Sequence, residues 1–156
     1  MTDLLVRLYD LESFNLPSEI EGYSIRRAAS MELVSLTDWV GTHFSQTWES
    51  EVIKSFSNNP ISCIVARQNR EFIGFAVYEA TAPSYFGPTG VLPEHRNRGV
   101  GKALLYHALN ELRHMGYAYG IIGWAGPVEF YQKTVDALVI PKSDTGIYPE
   151  EYRINS

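Results

Sequence analysis

The sequence predicts a mixed α/β (α+β) fold built on a mostly antiparallel central sheet, and three observations predict it. Two β-rich runs, Ser62 to Arg67 and Phe72 to Tyr78, are separated only by the turn Gln68-Asn69-Arg70, the pattern of an antiparallel hairpin. A strand at Tyr85 to Leu92, an amphipathic helix at Val100 to Met115 and a strand at Tyr117 to Trp124 follow in order. That order requires a crossover, so these two strands run parallel. The first of them holds Gly87, Pro88 and Gly90, which remove a ladder donor and weaken the pleat, so it is expected to be bulged or splayed.

Residues 1 to 22 form an N-terminal extension in which Leu4, Leu5, Val6, Leu8 and Tyr9 fit either a short edge strand or a helix, ended by Asn15-Leu16-Pro17-Ser18. Tyr23 to Ala28 reads as a strand, with Ser30 as N-cap of a helix whose apolar face is Leu33, Leu36, Val40 and Phe44. The pattern loosens between Gly41 and Trp48, then a second helix runs from Glu49 to Ser57 and stops at Asn58-Asn59-Pro60. In the crossover helix Leu104, Leu105, Ala108, Leu109 and Leu112 make one stripe, and Gly116 suits the C′ position. Gly126-Pro127 opens a short helix with Val128, Phe130, Tyr131 and Val135, and strands near Ala137 to Ile140 and Ile147-Tyr148 are expected to complete the sheet.

The 156 residues suit one domain with a sizeable core, and 45% apolar with 20% charged residues argues against long disorder. A net charge of −5 is a poor match to nucleic acid or an anionic membrane. With no apolar run of spanning length and no signal-peptide core, a cytoplasmic location is expected. Cys63, the only cysteine, excludes an internal disulfide and sits among Ile61, Ile64 and Val65 like a buried strand thiol. His43, His95, His107 and His114 lack ligand spacing, so no metal is expected.

Positive charge gathers at one place, Arg96-Asn97-Arg98-Gly99-Val100-Gly101-Lys102, where the irregular strand passes into the crossover helix. The first helical N–H groups have no intrahelical partner and carry about half a positive charge between them, so such a turn attracts an anion. Two familiar phosphate loops do not fit. A P-loop needs glycine at Arg96 and Ser or Thr at Ala103, and the dinucleotide fingerprint needs glycine at Leu104. What stands here is Val-x-Pro (Val91 to Pro93), then Arg-x-x-Gly-x-Gly (Arg96 to Gly101). This resembles the acetyl-CoA motif of the GNAT superfamily of N-acyltransferases, and the element order matches that family over roughly residues 23 to 150.

The resemblance implies a GNAT fold, with helices on both faces of the sheet and a bulged fourth strand splayed from a parallel fifth. It implies acetyl-CoA as cosubstrate, its pyrophosphate on Arg96, Asn97, Arg98, Gly99, Val100, Gly101 and Lys102 and its thioester near Val91 and Leu92. Phe130-Tyr131 matches the family's pair on the short helix, which makes Tyr131 the general acid for the leaving thiolate. Two positions depart from the family: Trp124 stands where many members have Asn, and Thr134-Val135-Asp136-Ala137 where many have Gly-Phe.

The chemistry needs a neutral amine, a donor for the oxyanion and a proton for the thiolate. A main-chain N–H in Val91-Leu92 is a candidate for the second and Tyr131 for the third; for the amine proton Glu79 and Glu49 are both candidates. The acceptor pocket implied by the resemblance lies at the junction of the first two helices, at Phe44 and Trp48, with Tyr78, Glu79 and Tyr85 beside them. The expected reaction is transfer of acetyl to a primary amine of a small molecule by direct attack in a ternary complex. Two alternatives stand beside it: a catalytically silent acyl-CoA-binding or sensing module, and a structural or partner-binding domain. A homodimer is compatible with all three.

Overall fold

A computed structural model describes residues 1–153 of the chain. Seven strands form one mixed sheet, β1 (Thr2–Arg7), β2 (Ser24–Arg27), β3 (Cys63–Gln68), β4 (Glu71–Tyr78), β5 (Tyr85–Val91), β6 (Tyr119–Ala125) and β7 (Leu138–Val139), in the order β2-β3-β4-β5-β6-β1-β7. Only the β5/β6 pair is parallel, as the crossover requires.

The helices are α1 (Leu33–His43), α2 (Gln46–Phe56), α3 (Val100–His114), α4 (Val128–Val135) and the short α5 (Glu150–Arg153). In β4, Phe75 and Val77 point to one face of the sheet, where they meet Leu36 and Val40 of α1 and Val52 of α2. Ala76 and Tyr78 point to the other, into a core with Leu104, Leu109 and Leu112 of α3 and Tyr131 and Val135 of α4. Period-two strands thus feed two separate cores through one sheet. The α3 stripe is fully buried at Leu104, Leu109 and Leu112, each contributing roughly 1.5–3 kcal/mol by leaving water. Gly116, at φ 99°, takes the left-handed position just beyond that helix.

The N-terminal segment differs from both options read from sequence. Leu4 and Val6 are fully buried in a strand, but β1 is not an edge: it lies antiparallel between β6 and β7, and Leu8–Phe14 continues as a 3₁₀ turn. A contiguous apolar run reads alike as a core strand or a buried helix, which is why period did not decide it.

Three other expectations are corrected. Ile147-Tyr148 is not a strand: Gly146 (φ 56°) turns the chain between Pro141 and Pro149, and Tyr148 folds back over the sheet. Ser30 opens a 3₁₀ turn to Glu32 rather than capping α1, and α1 turns Leu36, Thr37 and Val40 inward while Leu33 is exposed. The second helix begins earlier than expected, at Gln46, because the Ser45 hydroxyl accepts the Trp48 N–H at 3.2 Å as its N-cap.

Candidate active site

β5 follows β4 as far as Val91, with a one-residue register shift between the Ala76–Thr89 and Tyr78–Phe86 pairs. The extra residue lies in Gly87-Pro88, where the composition called for a bulge. Towards β6 the same strand pairs only at Tyr85 with Ile121 and Phe86 with Ile122. Beyond those two residues β5 and β6 diverge, leaving a split down the middle of the sheet. The Leu92 N–H donates to Ile73 O at 2.8 Å, towards β4, so the adjacent Val91 peptide groups face the split side. There Arg96 Nε donates to Val91 O at 3.1 Å.

Leaving the split, β5 enters a 3₁₀ turn at Pro93–His95 and then the loop that starts α3. Asn97 (φ 62°) and Gly99 (φ 87°) are left-handed, and Gly99 is the N-cap residue. Ala103 N donates to Gly99 O at 3.0 Å, so the amides of Val100, Gly101 and Lys102 come before the first helical hydrogen bond. At Gly101 a Cβ would meet only Val91 Cγ2, in ordinary contact at 3.9 Å. Arg96, Arg98 and Lys102 are exposed and, among the described residues, none forms an ion pair. Residues 18–23 brace this loop and α3 from outside: Ile20 packs on Gly99, the Tyr23 hydroxyl shares a 2.8 Å hydrogen bond with His95 Nδ1, and Ser18 O one of 2.8 Å with His107 Nε2 of α3.

Tyr131 projects from α4 into the α3-side core, 5% exposed, its ring edge-on to Phe86 at 6.3 Å. Phe86 is the last β5 residue paired to β6, which places the phenol at the start of the split. Its hydroxyl makes no hydrogen bond among the described residues, and burial pushes its pKa up.

On the opposite face, each diverging strand carries a glycine roofed by an aromatic ring. A Cβ at Gly90 of β5 would lie 2.5 Å from Phe44 Cε1, and Phe44 is itself stacked on Trp48 at 5.4 Å. A Cβ at Gly123 of β6 would lie 2.8 Å from both the Tyr148 hydroxyl and Tyr85 Cδ2. The loop bearing Tyr148 is stapled to β1 and β6. Asp3 N donates to Ser143 Oγ at 2.9 Å, Trp124 N to Asp3 Oδ1 at 2.6 Å and Trp124 Nε1 to Asp144 O at 2.8 Å. Glu51 of α2 reaches the same face, its Oε1 accepting from the Thr81 hydroxyl at 3.0 Å. Thr81 and Glu51 both neighbour the Tyr148 hydroxyl, whose pKa burial and then the carboxylates Glu51 and Asp3 push up to about 12.

The sequence profile described as the acetyltransferase (GNAT) family matches residues 29–134. The chain belongs to the GNAT acetyltransferase family. Among solved structures it is similar to the GCN5-related glucosamine N-acetyltransferase region of a fungal multi-domain GH3 β-N-acetylglucosaminidase (TM-score 0.67, 19% identity, 89% of this chain and 19% of that one). It is also similar to a GCN5-related N-acetyltransferase from Sphaerobacter thermophilus (TM-score 0.66, 17% identity, 89% and 48%). A third is a tandem GNAT protein from the clavulanic acid biosynthesis pathway (TM-score 0.57, 17% identity, 88% and 49%). The chain thus spans half or less of each of these proteins, and no curated protein matches it.

In this GNAT domain the residues expected from sequence fall into two groups. Phe44, Trp48 and Tyr85 share the α1/α2 face of the split, and Tyr131 lies against its other face. Tyr78 and Glu79 are not brought to them. Tyr78 belongs to the α3-side core and its hydroxyl accepts from Arg27 Nη1 at 2.6 Å. Both Glu79 oxygens are engaged, by Ser84 N at 2.7 Å and the Tyr117 hydroxyl at 2.6 Å, which closes the turn between β4 and β5. With Asn58, Glu111 and His114 they line a separate cavity of about 450 Å³. Glu49 lies back against Gly41 of α1. Of the two main-chain donors, Leu92 N–H is committed to Ile73, which leaves Val91.

Sequence reasoning missed Glu51, Thr81 and Tyr148. Glu51 had a legible signal, since it stands three residues after Trp48 and therefore on the same side of α2. Tyr148 had none, because its place depends on the loop fold-back.

Proposed function

We propose that this protein is an acetyl-CoA-dependent N-acetyltransferase acting on a primary amine of a small molecule. One observation carries the reading: β5 parts from β6 after Phe86 and leads through one 3₁₀ turn to an α3 N-terminus whose first amides precede the helical bonds and whose cations form no ion pair among the described residues. That donor set fits a pyrophosphate, because Gly101 leaves room for close approach and Arg96, Arg98 and Lys102 have no internal counter-ion among the described residues. The split suits an extended thioester arm, because main-chain groups on the β6 side of β5 lack a ladder partner past Phe86.

In this reading the cosubstrate supplies an activated acyl carbonyl and the chain supplies its surroundings. The cradle amides hold the pyrophosphate and so fix the thioester along β5. Val91 N–H is aimed into the split and serves the oxyanion. The Tyr131 hydroxyl, buried and without another partner, gives a proton to the departing sulfur. Burial keeps that phenol protonated at neutral pH, as an acid must be.

Calorimetric titration with acetyl-CoA, followed by free-thiol release over a panel of amines, tests the proposal. Binding with amine-dependent thiol release is expected. No binding at high micromolar concentration overturns it, and binding without release from any amine marks an acyl-CoA-binding module instead.

A further inference from the structure

Resting on the acetyltransferase reading, we infer that the aromatic face of the split, between the two roofed glycines, binds an arylalkylamine-type acceptor, a flat-bodied monocation without an acidic group, and that Glu51 takes its proton.

Aromatic rings cover both diverging strands on this face: Phe44 with Trp48 over Gly90, and Tyr85 with Tyr148 over Gly123. Trp124 extends the second wall, 5.4 Å from Tyr148. Such walls suit a flat apolar body and, through their ring faces, a cation.

Glu51 supplies the charge. Burial raises its carboxyl pKa, against the smaller downward pulls of the Thr81 hydrogen bond and of Lys54. Among the described residues it forms no ion pair, and only Oε1 accepts a hydrogen bond. The neighbouring Lys54 ammonium is turned to Asn58 Oδ1 at 2.9 Å. A half-buried carboxylate with one oxygen unclaimed and no ion pair is costly by itself and is relieved by an ammonium. The other carboxylate on this face, Asp3, is taken by the Trp124 amide. The two carboxylates Glu51 and Asp3 on this face oppose an acceptor that carries its own carboxylate or phosphate, and the net charge of −5 has the same sign, while the one cation bonded to the Tyr148 wall, Arg153, is held by the Tyr148 carbonyl at 2.8 Å.

Tyr131 and Glu51 flank the split from opposite faces of the sheet. The ammonium gives one proton to Glu51, and its lone pair forms the C–N bond at the thioester carbonyl. The C–S bond breaks with its electron pair on sulfur. Sulfur receives the second nitrogen proton by way of Tyr131, and Glu51 returns its proton to water. The sum is ammonium plus thioester giving amide, thiol and one proton.

Matched probes test this. Tyramine against tyrosine and tryptamine against tryptophan differ only in a carboxylate. The expected result is thiol release with each amine at kcat/KM at least tenfold above that of its amino acid. Glu51→Gln is expected to lower kcat and raise KM for the amines together, while calorimetric acetyl-CoA affinity stays within twofold, which also shows that the variant folds. Amino acids used as well as the amines, unchanged kinetics in Glu51→Gln, or acetyl-CoA binding without thiol release from either amine each overturn the inference and leave the cosubstrate reading standing. Loss of acetyl-CoA binding in the unaltered protein overturns that reading instead.

Discussion

The hydroxyl of Tyr148, carried by the loop after β7, rests over Gly123 of β6 so closely that a Cβ there would lie 2.8 Å from it. The absent side chain is therefore what lets Tyr148 and Tyr85 close down on the strand. Gly123→Ala is expected to lift both rings and lower kcat/KM for amine on the order of tenfold or more, since small displacements at a reacting centre are costly. Acetyl-CoA affinity should hold, and steady-state kinetics beside calorimetry measure the two effects separately.

At the cradle, charge reversal is the cleaner probe. Gly99 is left-handed and touches Ile20, so replacing it strains the backbone as well as the site. Arg98 and Lys102 are exposed and form no ion pair among the described residues, Arg98 making only a 3.4 Å hydrogen bond to the Tyr23 hydroxyl. Arg98→Glu and Lys102→Glu should each weaken acetyl-CoA binding about tenfold, roughly 1.4 kcal/mol, with unfolding transitions unchanged. Calorimetry at low and high salt checks this, because the loss should shrink as salt rises.

Tyr131→Phe removes a hydroxyl that has no protein partner among the described residues. Its expected signature is a fall in kcat of about 10²-fold with acetyl-CoA affinity and thermal stability little changed. A fall in stability alone, with turnover intact, would return Tyr131 to the core.

Far from the split, Glu32 joins the first turn before α1 to the sheet. It accepts from Arg26 at 2.7 Å and Arg67 at 2.8 Å and also takes Ala29 N–H at 2.8 Å, and these hold its pKa near 2 against an ordinary 4.5. A carboxylate lowered in this way stabilises the fold fully above its unfolded pKa, and that contribution fades as pH drops from about 4.5 towards 2. Glu32→Gln should cost on the order of 2 kcal/mol at pH 7 and flatten the acid limb of the stability curve in that window. Urea unfolding at several pH values checks both.

How far the sequence reached follows from what each residue's role depends on. The hairpin, the α3 stripe and the irregular β5 were legible because period, proline and glycine act locally. The cationic, glycine-bearing turn before α3 was legible because its features lie in one continuous loop. The proposed acceptor face was legible only in part: Phe44 and Trp48 belong to a helix junction that pattern can place, whereas the Tyr148 contact joins the C-terminal loop to β6. Glu79 misled for a related reason. It follows β4 beside Tyr78, but φ 56° turns its carboxylate into the β4–β5 loop, and no propensity announces that turn.

The position of β1 bears on biosynthesis. Its partners Tyr119 to Ala125 are more than a hundred residues downstream, so on the ribosome this apolar segment stays unpaired until they too have emerged. Because Asp3 also anchors Ser143 and Trp124, the proposed acceptor wall takes shape only once that early strand has docked beside a late one.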